Sequence, residues 1–144
     1  MLRVDKIDVF YGDLQALYDV SLEVRDGELL AVVGSNGAGK TTLLKTISGI
    51  LKPRSGTIEL DGERTERCKP HELVAKGISH VPEGRRLFPY LTVMENLRLG
   101  AYTSKSKEQT LQVLGDVLSI FPILQEGKNN LQVRSAAGSN RCSP

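Results

Sequence analysis

The chain has 144 residues, is 40% hydrophobic and carries a formal net charge of only +2, enough for one domain, or most of one, with a real core. This balance gives no argument for a nucleic-acid or anionic-membrane partner. No apolar run reaches the roughly 18 residues of a membrane-spanning helix, and the charges in Met1-Leu2-Arg3-Val4-Asp5 fall where a signal peptide needs apolar residues, so a cytoplasmic location is expected.

Residues 2–9 alternate apolar and polar side chains, as a half-buried strand does. Residues 10–13 read as a turn, and alternation returns from about Tyr18 to Val24. Asp26-Gly27 is a hairpin signal. It leads into residues 28–33, a short apolar run rich in β-branched residues, expected as a buried parallel strand. Residues 41–48 read as a helix ended by Gly49. A loop through Pro53 precedes a short strand at residues 57–60, closed by the turn Asp61-Gly62. Residues 70–76 form a short helix stopped by Gly77, and residues 78–82 a further strand. A capping box, Thr92 with Glu95, opens a helix over residues 92–101. Residues 107–121 give the clearest amphipathic helix, with Leu111, Leu114, Val117, Leu118 and Phe121 on one face. Cys68 and Cys142 show no metal-ligand spacing and read as reduced thiols.

Between the expected strand and helix lies Gly34-Ser35-Asn36-Gly37-Ala38-Gly39-Lys40-Thr41-Thr42, which fits G-x-x-x-x-G-K-[ST], the phosphate-binding loop. Strand, glycine loop and helix N-terminus together make an anion site: backbone N–H groups converge and the helix dipole adds positive potential. Gly34, Gly37 and Gly39 let the backbone close on phosphate. Lys40 is placed to neutralise the β- and γ-phosphates of a nucleotide, and the Thr41 hydroxyl to ligate Mg²⁺. ATP and Mg²⁺ are therefore the expected ligands.

The order of these pieces resembles the nucleotide-binding domain of ABC transporters over about residues 2–131. The implied fold is an α/β P-loop ATPase core with an N-terminal antiparallel β subdomain, incomplete at its C-terminus. Tyr11 stands where that family stacks an aromatic on adenine, the alternative being a turn residue packed on the ribbon. The string Val81-Pro82-Glu83-Gly84-Arg85-Arg86-Leu87-Phe88-Pro89, followed by L-T-V-x-E-N-L, is similar to one subgroup: ATP-binding subunits of importers for branched-chain and related hydrophobic amino acids. Glu83 replaces the glutamine most of the family carries. A carboxylate can still ligate a hard cation but donates no N–H. The resemblance assigns catalytic roles to Lys40 and Glu83, nucleotide contacts to Tyr11, Gly34, Ser35, Asn36, Gly37, Ala38, Gly39, Lys40, Thr41 and Thr42, and metal ligation to Thr41 and Glu83. It implies transmembrane permease subunits, a second ATP-binding subunit (identical or not) and, indirectly, an external substrate-binding protein. The chain would lie on the inner face of the cell membrane. Residues 83–99 would meet the permease.

The family continues to a signature loop L-S-G-G-[EQ], a strand ending in Asp-Glu and a switch histidine. None is found here, and His71 and His80 lie elsewhere. Residues 1–129 thus read as the N-terminal part of such a domain, and residues 130–144 as a disordered tail of polar and small residues. Codons can be chosen for Asn129 onward such that restoring one nucleotide yields N-Q-L-A-G-T-L-S-G-G-E-Q-Q-V-L. The tail is therefore expected to be a frameshifted translation of the signature region. The remaining readings are an ABC ATPase subunit for another cargo and a nucleotide-binding fragment without turnover.

Overall fold

A computed structural model describes residues 1–84, 86–104 and 106–127; the expected tail at residues 130–144 lies outside them. The chain divides into two units, Met1–Val81 and Pro82–Pro144.

In the first unit the alternating segments form strands β1 (Leu2–Tyr11) and β2 (Leu14–Val24), joined by a tight turn that sets Tyr11 opposite Leu14. β1 also pairs with β3 (Ser55–Leu60), which pairs with the short β4 (Glu63–Arg64) across Asp61-Gly62. Both turn residues have positive φ, 51° and 82°, the geometry that makes Asp-Gly a hairpin signal. The sheet order is β2-β1-β3-β4, with every pairing antiparallel.

β1 does not keep a strict period of two. Its buried residues are Val4, Ile7 and Val9. A register shift between Val4 and Ile7 accompanies a left-handed Lys6 at φ 47°, so one extra residue returns the apolar side chains to the core face. Gly56 of β3 passes over this bulge at φ 82°, where a Cβ would run into the Lys6 and Asp5 carbonyl oxygens. Helix α1 (Lys40–Ile47) brings Leu43 into the cluster of Val4, Ile7, Val9, Leu17 and Ile58. It ends as expected at Gly49: the Gly49 N–H donates to Thr46 O and the Ile50 N–H to Lys45 O, the paired bonds of a Schellman stop. α2 (Pro70–Ala75) buries Leu73 and ends the same way at Gly77.

Two expectations are corrected. Residues 28–33 and 78–82 carry no strand. Leu29 is 95%, Val33 88% and Val81 89% exposed. A buried parallel strand needs a neighbour for its backbone groups, and none of the described strands pairs with either segment. The Asp26-Gly27 turn forms, with the Glu28 N–H donating to Arg25 O, yet closes no hairpin.

The second unit is helical: α3 (Val93–Gly100), α4 (Lys107–Ile120) and α5 (Pro122–Glu126). The Thr92–Glu95 capping box is present. α4 departs from the expected buried stripe: Leu114, Val117 and Leu118 are half-buried, but Leu111 and Phe121 are 60% and 54% exposed. α5 was not anticipated; Pro122 in its first turn is the available signal.

Candidate functional site

The glycine loop ends at Gly39, the N-cap of α1, at φ 88°. A Cβ there would sit 2.5 Å from Leu17 Cδ2 and 3.1 Å from Ala16 O of β2, so the loop base packs on the sheet only because this residue has no side chain. Gly39 also offers no side-chain cap, and the first turn of α1 holds no acidic residue. The leading N–H groups of the helix therefore meet no carboxylate from their own turn.

Lys40 opens the helix and folds back over the loop. Its Nζ donates to Gly34 O at 2.8 Å and Ser35 O at 2.7 Å. An ammonium has three donors, and these two hold the loop closed. Within the loop the Ala38 N–H donates to Ser35 O at 3.2 Å, and residues 34–38 are exposed. A cation, a helix N-terminus and open backbone fit a phosphate group.

Thr41 and Thr42 follow in the first turn of α1. Thr42 is buried, and its Oγ1 lies 3.3 Å from the Tyr11 hydroxyl. The end of β1 and the start of α1 are thus brought together, a long-range contact that no local spacing rule foretells. Tyr11 is 45% exposed, so its ring retains surface that could stack on a flat ligand. Glu83 belongs to the second unit, just ahead of Gly84 at φ 80°. Among the described residues no group of three or more His, Cys, Asp or Glu could hold a metal ion.

A family model described as "ABC transporter" matches residues 17–137. The chain is 44% identical over 126 residues to the high-affinity branched-chain amino acid transport ATP-binding protein BraG of Pseudomonas aeruginosa, covering 88% of this chain and 54% of that protein. It is 38% identical over 125 residues to the probable branched-chain amino acid transport ATP-binding protein LivF of Archaeoglobus fulgidus, covering 87% and 52%. A solved ATP-binding subunit of an ABC transporter superposes with a TM-score of 0.79 at 32% identity, covering 91% of this chain and 54% of that one. The chain therefore spans about half the length of the curated relatives it matches.

Proposed function

The chain belongs to the ABC transporter family, and from that premise we propose that it is the nucleotide-binding N-terminal part of an importer ATPase subunit for branched-chain amino acids. The observation that carries the reading is the closed glycine loop at the N-terminus of α1, with Lys40 fastened across it. The similarity to two branched-chain amino acid transport proteins supports the cargo.

In this reading Lys40 binds the β- and γ-phosphates, the loop N–H groups from Gly34 to Thr42 hold the phosphate oxygens, and Tyr11 carries the adenine. Thr41 would offer a hydroxyl oxygen and Glu83 a carboxylate oxygen to Mg²⁺. When bound, Mg²⁺ supplies positive charge that offsets the charge of the phosphates. The protein's share of catalysis is orientation and charge stabilisation, because phosphoryl transfer asks for little covalent chemistry. ATP binding would close two such subunits and hydrolysis would reopen them. The chain would sit in the cytoplasm on the inner face of the membrane, and an external substrate-binding protein would deliver cargo.

Among the described residues no helix is long and apolar enough to cross a membrane; membrane-spanning partners are part of the proposed reading. Residues 83–99 are proposed to meet them. Leu87, Phe88 and Tyr90 are 52%, 59% and 86% exposed there, more apolar surface than a solvated loop normally shows.

The test is a titration of the chain with Mg-ATP beside its Lys40→Ala variant. Loss of one charge-assisted donor should cost about 1.5–3 kcal/mol of binding. Equal affinity of the two proteins would refute the phosphate-site assignment.

A further inference from the structure

The exposed aromatics of the second unit sit on a segment with a defined shape. Phe88-Pro89-Tyr90-Leu91 is a β-turn: the Leu91 N–H donates to Phe88 O at 3.1 Å, and Pro89 holds the position that favours its fixed φ. Tyr90 stands at the corner. Thr92 follows at once as the N-cap of α3, its backbone N–H donating to Glu95 Oε2 at 2.8 Å and its Oγ1 accepting from the Glu95 N–H at 3.2 Å.

Asn96, one residue beyond the capping box, stitches the whole segment together. Its Oδ1 accepts the Phe88 N–H at 3.0 Å. Its Nδ2, with two N–H donors, faces three carbonyl acceptors that share them: Phe88 O at 3.2 Å, Leu91 O at 3.2 Å and Thr92 O at 2.9 Å. The amide orientation follows from these partners, since an N–H can only donate and carbonyls can only accept. One side chain thus satisfies the backbone on both sides of the turn. It ties a loop to a helix in a place where Asn otherwise weakens a helix interior.

We propose that Asn96 is a positioning residue for the membrane-subunit contact: it locks the Phe88–Leu91 turn so that Phe88 and Tyr90 meet the membrane-spanning partner already ordered. This rests on the reading that residues 83–99 face that partner. Rigid aromatic anchors bind well because little conformational freedom is lost when they dock. A loop held on both sides by the Asn96 amide keeps its shape in the free subunit, whereas an unclamped one would order only on contact. The occupant is an apolar surface on the cytoplasmic side of the transporter's membrane-spanning subunits. A second part of the same polypeptide covering the turn is the competing outcome.

The test uses the chain fused at residue 129 to the C-terminal half of the Pseudomonas aeruginosa relative, co-expressed with the membrane-spanning subunits of that relative's transporter and purified in detergent. Association is compared for the wild type, Phe88→Ala, Asn96→Ala and Asn96→Asp. The aspartate keeps the acceptor for the Phe88 N–H and loses both N–H donors. Both Asn96 variants should weaken association by roughly tenfold or more, as an anchor loss does, while Mg-ATP affinity at the glycine loop stays unchanged. Amide exchange at Phe88 should quicken in Asn96→Ala and exchange in β1 should not, which separates loss of the clamp from global unfolding. If Phe88→Ala weakens association and neither Asn96 variant does, the positioning role is overturned and the interface stands. If the wild type fails to associate, or Phe88→Ala has no effect, the interface reading falls and the positioning role with it.

Discussion

Tyr11 sits at the end of β1 with its hydroxyl 3.3 Å from Thr42 Oγ1, so ring and hydroxyl can be tested apart. Tyr11→Ala should weaken ATP by about 1 kcal/mol or more through lost stacking. Tyr11→Phe removes only a long hydrogen bond and should keep most of the affinity. Equal losses for ATP and bare triphosphate in Tyr11→Ala would show that the ring is not the adenine platform. Asp8 is a second residue with a measurable signature. Its Oδ2 accepts from the Ser55 hydroxyl, and its Oδ1 from the Asp19 N–H at 3.0 Å and Gln15 Nε2 at 2.9 Å, tying β1 to β2 and β3. The Ser55 bond first, then the Asp19 amide, hold its carboxyl below the ordinary value of 3.8. A depressed folded pKa means its contribution is present above that ordinary value and is lost as pH falls through the lower folded one. Thermal melts of the wild type should therefore decline steeply below about pH 4. Asp8→Asn should start lower at neutral pH and lose less over the same range; parallel curves would remove Asp8 from the acid response.

At the scale of elements, backbone conformation separates two glycines that look alike in the sequence. Gly56 and Gly62 both have φ of 82°, yet a Cβ at Gly62 meets nothing within 4 Å while one at Gly56 strikes the Lys6 and Asp5 carbonyls. Gly62→Ala should cost about 1 kcal/mol of left-handed strain. Gly56→Ala adds overpacking against backbone and should cost about 2–4 kcal/mol in all. Denaturant melts giving equal losses would mean that β3 slides past the bulge. This difference is not legible in the sequence, because it arises from where β3 crosses β1. What local chemistry dictates was legible: the Thr92–Glu95 capping box, the glycine stops of α1 and α2, and the Asp61-Gly62 hairpin all appear where residue type alone places them. Asn96 reads from the sequence only as one residue of the 92–101 helix. Its poor helix propensity near the start of α3 was the available signal. The stripe on α4 was legible as a pattern, but periodicity says only that a face is apolar, not that a described neighbour covers it.

For the whole molecule the decisive fact is surface that a single chain would not choose to leave in water. Residues 28–33 lead directly into the glycine loop, and Leu29, Val33 and Val81 are almost fully exposed. The apolar patterns that mark these segments as buried strands were read correctly as patterns; pairing is a non-local property, and no described strand supplies it. Unpaired strand-like segments with apolar side chains are templates for association, and a domain held by about 5–15 kcal/mol tolerates few such exposures. The 144-residue chain by itself is therefore expected to bind a hydrophobic dye such as ANS, to melt broadly and to aggregate at micromolar concentration. It should bind Mg-ATP at the glycine loop, whose closing contacts from Lys40 lie within the described residues. The relatives are about twice the length it spans. Fusing the C-terminal half of the Pseudomonas aeruginosa relative to residue 129 should suppress dye binding, sharpen the melt and bring hydrolysis. A sharp, dye-free transition with catalytic turnover in the unfused chain would show that residues 28–33 and 78–82 find their cover without it.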